Sequence, residues 1–164
     1  RRMLNLFAYT GSFSVYAGSG GAASTSRVDL SQTYQDWTRR NLELNGLRDP
    51  RRHRLLRADV LVWLREAADR GERFDLIVLD PPSFSNSKRM QASFDIARDH
   101  YPLMARALDV LAPGGILYFS TNRQGFRLDA RLAGLPGVAE VTASTVPPDF
   151  QRRQPHRCWR IMAP

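Results

Sequence analysis

Four residues stand at corresponding places in this 164-residue chain: Gly11, Asp29, Asp59 and Asp80 each follow a short apolar or small-residue run. An acid at the carboxyl end of a strand can accept hydrogen bonds from a ligand lying across the end of a sheet. Asp29, about 20 residues beyond the glycine, is placed to accept both hydroxyls of a ribose. Asp59, in "RADVL", is placed to receive an amino group from a purine edge. Each of these two acids also reads as a helix N-cap, a role for which Ser31 competes with Asp29. Gly11, in "FAYTGSFS", sits where a strand turns into a helix. A glycine there lets the backbone approach a ligand and leaves free amides at the helix start; it also reads as a plain turn glycine. The spacing G-x-G-x-x-G is absent, which argues against a nicotinamide or flavin site. A glycine turn followed by acids at three successive strand ends describes a pocket for an adenosine that carries no diphosphate.

The fourth position opens the least ordinary segment, "LDPPSFSNSKRM" (79–90). Two prolines after Asp80 fix φ and remove two backbone donors, giving a stiff wall and an aimed carbonyl. A polar, basic loop follows.

These residues need a scaffold, and the apolar pattern supplies one. Strand-like runs are read at Leu4–Ala8, Ala22–Leu30, His53–Arg57, Phe74–Leu79, Ile116–Ser120, Val138–Ala143 and Cys158–Met162. Helices are expected from Ser12 to about Gly18, after Ser31 to Asn45-Gly46, after Asp59 to about Gly71, over Phe94–Leu111 and near Leu128–Gly134. Strands alternating with helices imply a largely parallel sheet covered on both faces, an α/β Rossmann-like architecture. Two late strands close together suggest an antiparallel return at one edge. Ligands of such sheets sit beyond the carboxyl ends of the strands, where the acids are.

The totals agree with one domain over residues 1–164, long enough to bury a core. The chain enters an apolar stretch at once, "RRMLNLFAY", and is read as a domain of a longer polypeptide whose preceding part is missing. No apolar run reaches the length of a bilayer span. A single cysteine, Cys158, suits a reducing cytoplasm. With His53, His100 and His156 widely spaced, no metal-site pattern is present. The formal charge of +8, from 24 basic and 16 acidic residues, favours an acidic partner, nucleic acid above all. Because only Lys88 is a lysine, the arginine excess also reads as a coding bias.

The segments "LNLFAYTGSFSVYAG", "VDLSQTYQDWTRRNLELNG", "RADVLVWL", "FDLIVLDPPSFSNSKRM" and "LAPGGILYFSTNRQGF" cover nearly the whole chain. Together they resemble the successive motifs of class I S-adenosylmethionine-dependent RNA methyltransferases. The likeness is close to the C-terminal, guanine-N7-methylating half of the bifunctional bacterial 23S ribosomal RNA enzymes. The resemblance implies a seven-stranded, mostly parallel sheet with one antiparallel edge strand, and S-adenosyl-L-methionine as cofactor. It implies that the backbone of Phe7, Tyr9, Thr10 and Gly11 faces the methionine part. Asp29 would hold the ribose with Leu30 near the adenine, and Asp59 would bind the adenine amino group with Val60 beside it. Asp80, Pro81 and Pro82 would lie under the transferred methyl and the target base. Amine-methylating relatives carry Asp/Asn-Pro-Pro-aromatic, whereas here Ser83 separates Pro82 from Phe84.

The resemblance implies 23S ribosomal RNA as substrate, and with it the remaining parts of a parent chain as partner. Guanine N7 carries a lone pair and no proton, so transfer to it needs alignment in a dry, rigid pocket rather than a general base. Asp80 and Asn122 are the candidates for touching the base, and Phe84 or Phe126 for stacking on it. Both aromatics also read as ordinary loop packing. Lys88, Arg89, Arg123, Arg127, Arg152 and Arg153 are candidate RNA contacts, and a splayed-out guanine is the expected substrate geometry. Related 5-methylcytosine enzymes need a cysteine nucleophile. "FSTNRQGF" has none where they carry it, and Cys158 reads as core. Another ribosomal RNA acceptor, an exocyclic guanine amine or cytosine C5, or a non-catalytic RNA-binding domain with a retained pocket, are the competing readings.

Overall fold

The computed structural model describes residues 1–85, 93–150 and 156–163. In chain order they form β1 (Arg2–Leu6), α1 (Ser12–Ser19), β2 (Ser24–Val28), α2 (Gln32–Leu44), β3 (His53–Leu56), α3 (Val60–Asp69) and β4 (Phe74–Leu79). There follow the two-residue strands β5 (Phe84–Ser85) and β6 (Phe94–Asp95), then α4 (Ile96–Asp109), β7 (Leu111–Thr121), α5 (Ala130–Ala133), β8 (Val138–Glu140), α6 (Thr142–Thr145) and β9 (Arg157–Met162).

Seven strands make one sheet in the order β3-β2-β1-β4-β7-β9-β8. Strands β3, β2, β1, β4 and β7 run parallel, while β9 is antiparallel to both β7 and β8. The antiparallel return therefore stands toward one edge of the sheet, with β9 one place in from the edge strand β8. The chain walks outward from β1 to β3, then restarts on the other side of β1 with β4. That reversal is the topological switch point, where a crevice opens at the carboxyl ends. Register brings the loops there together: Leu6 lies opposite both Val28 and Leu79, and Leu79 lies opposite Phe119. Phe7, Asp29 and Asp80 thus leave the sheet at one level, beside Ser120 of β7.

The two faces differ in chemistry. Side chains alternate along a strand, and one face carries Leu4, Leu6, Ile77, Leu79, Leu117 and Phe119, all fully buried. They share a core with Trp63 and Leu64 of α3 and Leu103 and Met104 of α4. Each such aliphatic side chain contributes about 1.5–3 kcal/mol relative to exposure. The other face of β1–β3 is buried yet polar. Asn5 donates from Nδ2 to Ser14 Oγ at 3.1 Å, and Thr25 Oγ1 and His53 Nδ1 are 3.0 Å apart. Small polar residues in "AASTSRVDL" fit a strand against which α1 lies closely. An added Cβ at Gly18 of α1 would stand 2.6 Å from Leu47 and 3.2 Å from His53.

Most element boundaries follow the apolar pattern, and the differences have local causes. Strand β7 starts earlier than expected, at Leu111, because Phe74 pairs with Leu111 and the ladder then resumes at Leu76 and Ile116, past Pro113-Gly114-Gly115. Strand β8 stops at Glu140, and Thr142 begins α6. The Thr142 hydroxyl donates to Glu140 Oε1 at 2.8 Å and accepts from the Cys158 amide at 3.0 Å. No helix among the described residues is long and apolar enough to cross a membrane.

Candidate functional site

A cavity of about 1100 Å³ opens at the switch point. Small-molecule sites commonly measure about 300–1,000 Å³, so there is room for a nucleoside-sized ligand and part of a second group. Its wall comes from the ends of four parallel strands: Phe7 and Tyr9 after β1, Asp29 to Ser31 after β2, Asp59 to Leu61 after β3, and Asp80 to Ser85 after β4. Tyr34, Phe94 and Asn122 complete it.

The loop after β1 is held in an uncommon shape. Phe7, Tyr9 and Gly11 have φ of 55°, 47° and 78°. Left-handed non-glycine residues cost about 1–3 kcal/mol each and persist only where neighbours impose them. Here the Tyr9 amide donates to Asp29 Oδ2 at 3.0 Å, and its carbonyl accepts from Arg27 Nη2 at 3.0 Å and Thr38 Oγ1 at 3.3 Å. Asn41 Nδ2 donates to the Thr10 carbonyl at 2.9 Å. The other Asp29 oxygen accepts from the Ser31 amide at 2.9 Å. A carboxylate offers about four acceptor positions, so Asp29 keeps capacity toward the cavity.

Asp59 is the N-cap of α3, its Oδ1 accepting from the Leu61 and Val62 amides at 2.9 and 3.2 Å. The capping reading and the cavity reading hold together, because one oxygen caps while the residue still lines the wall. Ser31 caps α2, its Oγ accepting from the Tyr34 amide at 3.3 Å. Tyr34 stands edge-on to Tyr9, centroids 4.4 Å apart, and the two rings form one side of the cavity.

At the opposite side, Ser120 Oγ donates to Asp80 Oδ1 at 2.6 Å. Asp80 opens onto the cavity, yet the surrounding walls strip enough water to push its carboxyl above the usual range. The hydrogen bond from Ser120 and the nearby His156 offset only part of that. Ser83 Oγ donates to Asn122 Oδ1 at 2.8 Å, joining the loop after β4 to the one after β7. With its oxygen so engaged, the Asn122 amide is left to present N–H donors. The Ser83 carbonyl accepts from the Ile96 amide at 3.1 Å, anchoring the same loop to α4. Pro81 is buried and Pro82 exposed.

The whole arrangement is a crevice whose acceptors are single carboxylates at strand ends, with no diphosphate cradle among the described residues. Over residues 1–160 the sequence matches the family described as S-adenosylmethionine-dependent methyltransferase. This chain belongs to that family. Its cofactor is therefore S-adenosylmethionine, and the residues fit it: carboxylates with spare acceptor capacity and aromatic and aliphatic walls suit a nucleoside without phosphates. The methyltransferase is 54% identical over 98% of its length to the ribosomal RNA large subunit methyltransferase K of Neisseria meningitidis serogroup B. It is 55% identical over 100% of its length to the ribosomal RNA large subunit methyltransferase K/L of Methylococcus capsulatus. It spans 45% and 22% of those two relatives' lengths. Among solved structures, a methyltransferase in complex with S-adenosylhomocysteine superposes with TM-score 0.81 at 26% identity, over 99% of this chain and 45% of that one.

Several residues expected in the site lie elsewhere. Gly11 and Thr10 are not part of the cavity wall. The glycine is required because an added Cβ would stand 2.3 Å from Thr38 Cγ2, and because φ is positive; helix packing, not ligand approach, excludes a side chain. Of the two candidates for stacking on a base, Phe84 and Phe126, the structure removes Phe126, which is 3% exposed. Its ring packs against His100, Phe119 and Trp159 with centroids 4.8, 5.6 and 5.5 Å away. Phe84, by contrast, lines the cavity and is 55% exposed. Arg123 pairs with Asp95, the α4 cap, at 3.4 Å, and Arg127 is exposed. Lys88, Arg89, Arg152 and Arg153 lie outside the described residues. Cys158 is core, as read; burial and then the Asp80 charge push its thiol up to about 11.

Ser83 as a hydrogen-bond partner of Asn122, Tyr34 and Phe94 as wall, and Arg27 behind Tyr9 are not among the residues expected in the site. A helical stripe signals that Tyr34 faces inward, not that the inside is a cavity. The one sign of Arg27 in the sequence is its place between small and apolar residues within the Ala22–Leu30 strand.

Proposed function

We propose that this methyltransferase transfers the methyl group of S-adenosylmethionine to N7 of a guanine in 23S ribosomal RNA of the large ribosomal subunit. The names of the two curated relatives support the RNA class. The cofactor supplies an electrophilic methyl group on a sulfonium. In this reading Asp29 accepts the ribose hydroxyls and Asp59 the adenine amino group, with Leu30, Val60 and the Tyr9–Tyr34 pair closing around the adenosine. Asp80 and Asn122 flank the acceptor base: the carboxylate accepts N–H donors from the base edge, and the amide donates to a carbonyl. Phe84 offers an exposed ring for stacking, and Pro81-Pro82 hold the floor rigid. Alignment then does most of the work, because N7 needs no proton removed.

The observation that carries this reading against cytosine methylation is the burial of Cys158. It lies opposite Ser120 across β9 and β7, near Asp80, yet its thiol is buried and pushed up to about 11. A covalent pyrimidine mechanism needs a thiolate, and no other cysteine exists in the chain. We further propose that the domain acts in the cytoplasm as part of a longer polypeptide, a reading supported by its partial coverage of both relatives. Arg123, Arg127, Lys88, Arg89, Arg152 and Arg153 then serve as RNA contacts.

The test is to incubate transcribed 23S RNA and labelled S-adenosylmethionine with the chain alone and with the polypeptide as encoded, then identify the modified nucleoside by mass spectrometry. The expected product is 7-methylguanosine. Recovery of 5-methylcytidine, of an exocyclic N-methylguanosine, or of no methylated nucleoside from the encoded polypeptide would overturn the assignment.

A further inference from the structure

Arg27 is the largest fully buried side chain in the molecule's described part, at 0% exposure. It sits in β2 two residues before Asp29, on the polar face of the sheet. Only one of its three nitrogens is satisfied: Nη2 donates to the Tyr9 carbonyl at 3.0 Å and stands 3.8 Å from Asp29 Oδ2. Among the described residues, Nε and Nη1 have no hydrogen-bond partner. Burial without full hydrogen bonding disfavours a guanidinium, and desolvation lowers its pKa despite the nearby Asp29. Packing alone would be served as well by an unbranched apolar side chain of similar length.

What an apolar side chain cannot do is close the ring that Arg27 closes. Asp29 Oδ2 accepts from the Tyr9 amide while Arg27 holds the Tyr9 carbonyl, so both poles of one residue are tied to β2 and the residue that follows it. Tyr9 is in the left-handed region at φ 47°, a conformation that needs such restraint. The same guanidinium faces the carboxylate oxygen that receives the Tyr9 amide. We propose that Arg27 is a positioning residue of the cofactor site: by holding Tyr9 and Asp29 in one closed ring, it presents the Asp29 carboxylate to the ribose pre-oriented. The inference rests on the reading of Asp29 as the ribose acceptor.

The test is a double-mutant cycle between Arg27→Met and Asp29→Asn, with Arg27→Lys beside it. Affinity for S-adenosylhomocysteine is read by calorimetry and the melting midpoint by circular dichroism. Arg27→Met should melt no lower than the wild type, since it removes unsatisfied buried donors, while binding the ligand about tenfold more weakly. In the Asp29→Asn background the same substitution should cost less than about threefold, because the residue it acts through is already impaired. Arg27→Lys keeps a charge and should bind between wild type and Arg27→Met. Unchanged affinity in Arg27→Met, or losses that add fully in the double variant, would overturn the inference. A fall in melting midpoint matched by a fall in affinity, with no recovery in Arg27→Lys, would make Arg27 purely structural and also overturn it. If Arg27→Met does not fold, Arg27→Lys decides: weaker binding at an unchanged midpoint supports positioning, and wild-type binding refutes it. Asp29→Asn alone separates the two ideas, since wild-type affinity there sinks the ribose reading itself.

Discussion

Asp29→Asn is the most informative single change. Both Asp29 oxygens are occupied by backbone amides, Tyr9 at 3.0 Å on Oδ2 and Ser31 at 2.9 Å on Oδ1. An asparagine has one acceptor oxygen and one donor nitrogen, so in either orientation its NH2 meets an N–H. With the NH2 turned to the exposed Tyr9 side, water takes over that amide and the loss is one hydrogen bond, about 0.5–1.5 kcal/mol. For a domain of this size each kcal/mol moves the melting midpoint by about 2–4 °C, giving an expected fall of about 1–6 °C. The effect on ligand is separate. A ribose hydroxyl donating to a carboxylate is a charge-assisted bond worth about 1.5–3 kcal/mol, so affinity for S-adenosylhomocysteine should drop by about ten- to a hundredfold. Thermal unfolding by circular dichroism gives the first quantity and calorimetry below the transition gives the second. A variant as stable as the wild type would refute the two-amide geometry. A destabilised variant that binds normally would refute the ribose role while leaving the geometry intact.

Asp80→Asn should lower turnover at least about tenfold by removing the charged acceptor, with no loss of stability at neutral pH. The sign follows from desolvation: the folded-state pKa of Asp80 is raised, so its contribution favours the fold at low pH and is lost as pH rises through that value. Unfolding of both proteins across the acidic range checks this, and a variant less stable than the wild type at neutral pH contradicts it. Gly11→Ala should destabilise by about 2–5 kcal/mol, about 1–2 from a left-handed residue and about 1–3 from collision with Thr38. Adding Thr38→Ala should recover part of the second component, and denaturant titrations showing full additivity would locate the strain elsewhere. Cys158, with its thiol pushed up to about 11, should resist iodoacetamide at mildly alkaline pH until the protein unfolds. Labelling of the native protein at the rate of a free thiol, followed by mass spectrometry, would show the thiolate to be available.

The alternation of apolar strands with capped helices was legible along the chain because it is a local, periodic property. So were the acids at the strand ends, since a residue that follows a buried run necessarily emerges at the sheet's edge, and a parallel sheet puts all such edges on one side. Asp29, Asp59 and Asp80 are in the cavity wall for that reason, whichever roles they play there. Burial of a loop side chain has no local signature. Phe126 and Phe84 look alike in sequence, both aromatic and just beyond a strand. One is core because β9 inserts beside β7 and brings Trp159 against it; the other stays open beside β6. Ser83 meets Asn122 across 39 positions and Arg27 meets Tyr9 across 18, pairings that depend on strand order and register. Sequence alone determined the scaffold and the positions from which chemistry could be done. Only the tertiary structure decided which side chains face the crevice, because that depends on what packs behind each of them.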